Sequence, residues 1–118
     1  MEILVFFICT VAEGTVQVST SAEAKVTLGF KPSVLIVMFY TDINHYRLLE
    51  YDVNMNSTAG LYCTRISSSS SRETYYRTFP STETGSIASI DNDGFTLCKI
   101  SSGQSSATPT TGRYIAIP

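Results

Sequence analysis

The segment Lys25 to Tyr40, KVTLGFKPSVLIVMFY, constrains the fold more than any other part of the chain. Val26 and Leu28 alternate with Lys25 and Thr27, the period of a strand with one wet face. Val34 to Tyr40 has no such alternation and reads as a strand covered on both faces. Two strands about a fixed Gly29-Phe30-Lys31-Pro32 corner imply a β-sheet core. The segment carries nothing shaped for chemistry.

At 118 residues, 43% hydrophobic and only 15% charged, the chain matches one folded domain, residues 1–118, whose surface is dressed with Ser and Thr. A domain of this size buries about 65% of its unfolded surface, enough for one core. Eight basic and ten acidic residues give a net charge of −2, with no basic stripe to track a phosphate backbone, so no nucleic-acid partner is expected.

Short strand-like runs recur about every ten residues, separated by turn formers. They are Ile3 to Thr10, Gly14 to Ser19, Ala24 to Leu28, Val34 to Tyr40, Tyr46 to Val53, Gly60 to Ser67, Thr74 to Phe79, Ser86 to Ile90, Phe95 to Ile100 and Arg113 to Ile117. In Tyr46 to Val53, Leu49, Tyr51 and Val53 fall on one side and Glu50 and Asp52 on the other, a period of two, with a short helix as second choice. Asp91-Asn92-Asp93-Gly94 is a hairpin turn in which Asn and Asp tolerate the left-handed region and Gly supplies positive φ. No amphipathic helix of three turns and no repeat is present. The expected fold is all-β, an antiparallel two-sheet sandwich of about 8–10 strands, jelly-roll-like.

Residues 1–12 are expected to be an N-terminal strand or arm. Ile3 to Ile8 has the apolarity of a signal-peptide core, but Glu2 stands where positive charge is required, and the run is too short to span a bilayer. No membrane partner is expected. Cys9, Cys63 and Cys98 are scattered and odd in number, which fits neither a disulfide framework nor a metal knuckle. They read as small buried hydrophobes of a chain folded in a reducing cytosol, with one disulfide plus a free thiol as the alternative.

No catalytic, cofactor-binding or metal site is expected. His45 is the single histidine, at a strand entrance, and no Gly-x-Ser-x-Gly element accompanies it. Asp91 to Gly94 offers hard oxygen ligands, yet Ile100 stands where a calcium loop needs its bidentate Glu. Glu50, Asp52, Glu73 and Glu83 supply carboxylates without a spacing that pairs them for glycoside hydrolysis. Tyr75, Tyr76 and Arg77 follow the serine run Ser67 to Ser71, a residue mix open to three readings: subunit contact, sandwich packing or sugar stacking.

The stretches GTVQVSTSAEAKVTLGFKPSVLIVMFY, SIASIDNDGFTLCKI and GRYIAIP together resemble small β-rich structural domains of tailed bacteriophages, found among fibre, tail and head-decoration proteins. The resemblance covers most of the chain from Gly14 onward. It implies a non-enzymatic virion structural protein made in the host cytoplasm, binding other virion proteins and itself, with a trimer favoured. The alternative is a lectin-like module in host adsorption, with Tyr46, Tyr75 and Tyr76 as platforms for a surface glycan. A hydrolase ranks behind both.

Overall fold

The computed structural model describes residues 11–42, 45–54, 61–67, 72–77, 86–100 and 110–118. Among them are nine strands and no helix: β1 (Ala12–Val18), β2 (Ala24–Thr27), β3 (Val34–Asp42), β4 (His45–Asp52), β5 (Leu61–Ser67), β6 (Arg72–Arg77), β7 (Ile87–Asp91), β8 (Gly94–Leu97) and β9 (Thr110–Ile117). They form two antiparallel sheets, one of six strands in the order β1-β9-β3-β4-β5-β6 and one of three in the order β2-β8-β7. The Tyr46 to Val53 segment is thus strand and not helix, as its period of two requires. The expected strand Ile3 to Thr10 and the serine run from Ser68 lie outside the described residues.

One hydrophobic cluster draws on both sheets. The six-stranded sheet contributes Val16, Val18, Leu35, Val37, Phe39, Leu49, Tyr51 and Ala116, and Phe95, Leu97 and Ile87 come from the other. Alternation explains the choice: on β1 Val16 and Val18 are buried while Thr15 and Gln17 are exposed. Ser86, just before β7, is buried like Ile87, the first residue of the strand. Within β7 a register shift between Ile87 and Ser89 leaves Ala88 as an extra residue in the ladder, which breaks the strict alternation there.

β3 departs from the sequence expectation. Leu35, Val37 and Phe39 are buried, but Val34 and Ile36 are half-buried and Met38 is 44% exposed. The three-stranded sheet faces only one side of β3, so its other side is open among the described residues.

The Gly29 corner and the Asp91–Gly94 turn are bonded to each other. The Leu28 and Gly29 amides both donate to the Asp93 carbonyl oxygen, at 2.6 and 3.0 Å. Asn92 and Asp93 form a two-residue hairpin closed by the Asp91↔Gly94 pair, and Asp91 accepts hydrogen bonds from the Ser89 and Thr96 hydroxyls at 2.7 and 2.9 Å. The role expected of Gly94 belongs elsewhere. Among the described residues Gly29, at φ 84°, is the glycine in the left-handed region, whereas Gly94 is needed because a Cβ there would overlap the Val26 carbonyl oxygen of the paired strand.

After buried Pro32, Ser33 extends the ladder by one row: its amide donates to the Ile117 carbonyl at 2.8 Å, and its own carbonyl accepts from the Val53 amide at 2.8 Å. The corner therefore fixes the ends of β9 and β4 as well.

The two glycines make different predictions. Gly94→Ala must displace the β2 backbone and is expected to cost about 3 kcal/mol or more, as severe overpacking does. Gly29→Ala meets no neighbour but strains φ, for about 1–2 kcal/mol, and Gly29→Asn should recover part of that. Urea unfolding of the three variants checks the order; a Gly94→Ala protein as stable as the parent would contradict the close β2–β8 approach.

Candidate functional site

The residues singled out from sequence do not assemble into one constellation. His45 opens β4, paired with Asp42 on β3 and Ser67 on β5. Tyr75 and Tyr76 lie on β6, at the edge of the six-stranded sheet, in register with Cys63 and Tyr62. The side chains of His45, Tyr46, Cys63, Tyr75 and Tyr76 are outside the described set, as are Cys9 and Glu83. Among the described residues no three His, Cys, Asp or Glu side chains gather in a metal-sized group, and no helix is long and apolar enough to cross a membrane.

One charged residue that sequence reading missed is Arg47, 3% exposed on the core side of β4. It continues the Leu49–Tyr51 alternation by one step, so the period of two placed it inside although its chemistry did not. Arg47 has interaction partners there, as a buried guanidinium requires. In register it stands between Phe39 on β3 and Arg65 on β5, with Glu73 next across on β6.

The surface feature with the clearest binding character is the outer face of the six-stranded sheet. Ile115, Ile36 and Glu50 lie side by side on β9, β3 and β4, and Arg113, Met38 and Leu48 form the next row. Ile36, Met38, Leu48 and Ile115 line a shallow depression of about 240 Å³, with Glu13 and Arg113 also in its wall. Met38 and Ile115 are 44% and 42% exposed, large apolar side chains at the middle of a sheet and not at its fringe. The mixture of an apolar centre with charges beside it is that of a protein-binding surface. The depression holds no cluster of nucleophile and base.

A second hollow, of about 300 Å³ and less apolar, is lined by Ser21, Ala22, Glu23, Cys98 and Lys99. Cys98 is buried, and its amide donates to the Ser86 carbonyl at 2.8 Å. Burial raises the Cys98 thiol pKa, the Glu23 charge adds to the rise, and the Ser86 backbone hydrogen bond opposes it. That is the opposite of what a reactive thiol needs. Tyr51 is raised too, by burial first and by Asp52 second.

No family model, curated protein or solved structure matches the chain. What the site can do therefore rests on its own geometry.

Two measurements follow from the buried polar groups. Ser86 Oγ is buried with no hydrogen-bond partner among the described residues, so Ser86→Ala removes an unsatisfied group and is expected to leave stability equal or raised by about 1 kcal/mol in thermal unfolding. Cys98 and Tyr51 both hold their protons more tightly folded than unfolded, so the folded state binds more protons at high pH and stability must fall as pH rises. The decline should begin near the unfolded thiol value, about 8.5, and steepen near that of the phenol, about 10. Cys98→Ser should remove the first part of it; a flat urea midpoint from pH 7 to 10.5 would refute the assignment.

Proposed function

We propose that the chain is a non-enzymatic structural module of a bacteriophage virion, displayed on the head or tail, that associates with itself and with neighbouring virion proteins. The observation that carries this reading is the outer sheet face, where Ile36, Met38, Leu48 and Ile115 form an apolar centre beside Glu13 and Arg113. An enzyme concentrates its titratable groups in a cleft, whereas this apolar depression on the described surface is a sheet face suited to contact.

The resemblance gains support from how its pieces meet. The Gly29 corner, the Asp91–Gly94 hairpin and the closing strand through Ile117 are joined through Asp93 and Ser33, so the motifs form one unit and not three generic turns. In this reading the two sheets are the halves of a β-sandwich over their shared cluster. Jelly-roll winding asks successive strands to alternate between sheets; β3, β4, β5 and β6 instead follow one another within one sheet, so we carry the sandwich forward without that winding.

The test is particle composition. Purified virions from a host carrying this reading frame should contain the product in many copies by mass spectrometry, and labelled antibody should place it on the particle exterior. Particles of full infectivity and normal morphology that lack the product would overturn the proposal.

A further inference from the structure

Resting on the reading of the chain as a self-associating module, we infer that its partner at the outer face of the six-stranded sheet is a second copy of the same face, related by a two-fold axis. Glu13 and Arg113 carry the choice of occupant. They sit on adjacent strands and adjacent rows, Glu13 opposite Ile115 and Arg113 opposite Thr15, both exposed. No ion pair joins them within the chain among the described residues, so both charges are available to a neighbour.

An isologous contact sets residue i against j and j against i, so a face bearing one acid and one base beside an apolar centre is complementary to itself. The axis that exchanges Glu13 for Arg113 of the second copy runs diagonally between the rows, over Ile115 and toward Ile36. It therefore stacks Ile115 and Ile36 near their own copies while closing two reciprocal ion pairs beside them, with Met38 and Leu48 to one side of the axis. The diagonal axis also makes the two sheets cross steeply, nearer to orthogonal than to aligned packing.

The area is adequate. Six strands at about 4.8 Å spacing and about seven residues at about 3.4 Å present a face of about 700 Å² in projection, approaching the roughly 800 Å² of accessible surface each partner gives to a stable interface. The charged pairs set register and selectivity, and the apolar centre supplies most of the affinity.

The full-length chain should sediment as a dimer in analytical ultracentrifugation at micromolar concentration. Glu13→Arg alone and Arg113→Glu alone each place like charges together twice and should weaken the dimer at least about tenfold; the double reversal should restore it. Ile115→Lys puts an unpaired charge onto the axis and should abolish the dimer. Because these side chains are exposed, thermal unfolding should show every variant folded. A monomer, a trimer, or a dimer indifferent to all four variants would overturn the pairing. Particle analysis separates the two levels: a monomer that is still found in virions sinks only this interface, whereas a dimer absent from virions sinks only the virion assignment.

Discussion

The last strand of the chain, β9, is the one on which the six-stranded sheet depends. It lies between β1 and β3, pairing along Ala12–Val18 on one side and Val34–Met38 on the other, and β1 has no other strand partner among the described residues. β9 also ties the layers together. The Tyr114 ring meets Phe95 of the three-stranded sheet edge to face at a centroid distance of 5.3 Å, and it lies so close over Gly14 that a Cβ there would strike it. A residue of β9 thus joins β1, its own sheet and the opposite sheet. Because this pairing is non-local, closing the core waits for the C-terminal strand, and the slow folding typical of such topologies is expected.

The same strand explains why the Gly29 corner matters beyond its own turn. Ser33, just after the corner, bonds to Ile117 at the end of β9 and to Val53 past the end of β4, while Leu28 and Gly29, at its start, bond to Asp93 in the hairpin of the other sheet. Both sheets are referenced to one short segment. Positive φ at Gly29 is what lets that segment turn, and the bare Cα of Gly94 is what lets β2 come close enough to receive it.

Most of the secondary structure was legible in the sequence because antiparallel strands with one wet face leave a period of two, and Val16–Val18 and Leu49–Tyr51 display it plainly. What was not legible depended on tertiary neighbours. The reason for Gly94 lies in β2, nearly seventy positions earlier, and turn chemistry alone points to the wrong cause. Arg47 sits on the core side because its strand alternation carries it there, whereas its charge argues for the surface. The register shift between Ile87 and Ser89, which interrupts the alternation of β7, is announced by no residue type. For the candidate site, the apolar content of β3 was evident; that only one of its faces would be covered was not, since coverage depends on how many layers the fold supplies.

That last difference is the physical basis of the functional reading. A strand in a sheet with a single covering layer needs polar residues only at alternate positions; β1 complies with Glu13, Thr15 and Gln17 facing outward, and β9 complies at Thr111 and Arg113 but not at Ile115. β3 does not: from Val34 to Phe39 both faces are apolar. Full burial of a side chain such as Met or Ile is worth about 1.5–3 kcal/mol, and β3, β4 and β9 leave part of that unrealised at Ile36, Met38, Leu48 and Ile115 together. On this face the apolar surface centres on β9, β3 and β4, with the polar residues of β1 to one side and Glu50 beside Ile36 in the same row. A face with an apolar middle and polar surroundings gains by meeting a flat surface of the same kind, and a second sheet of the same chain is such a surface.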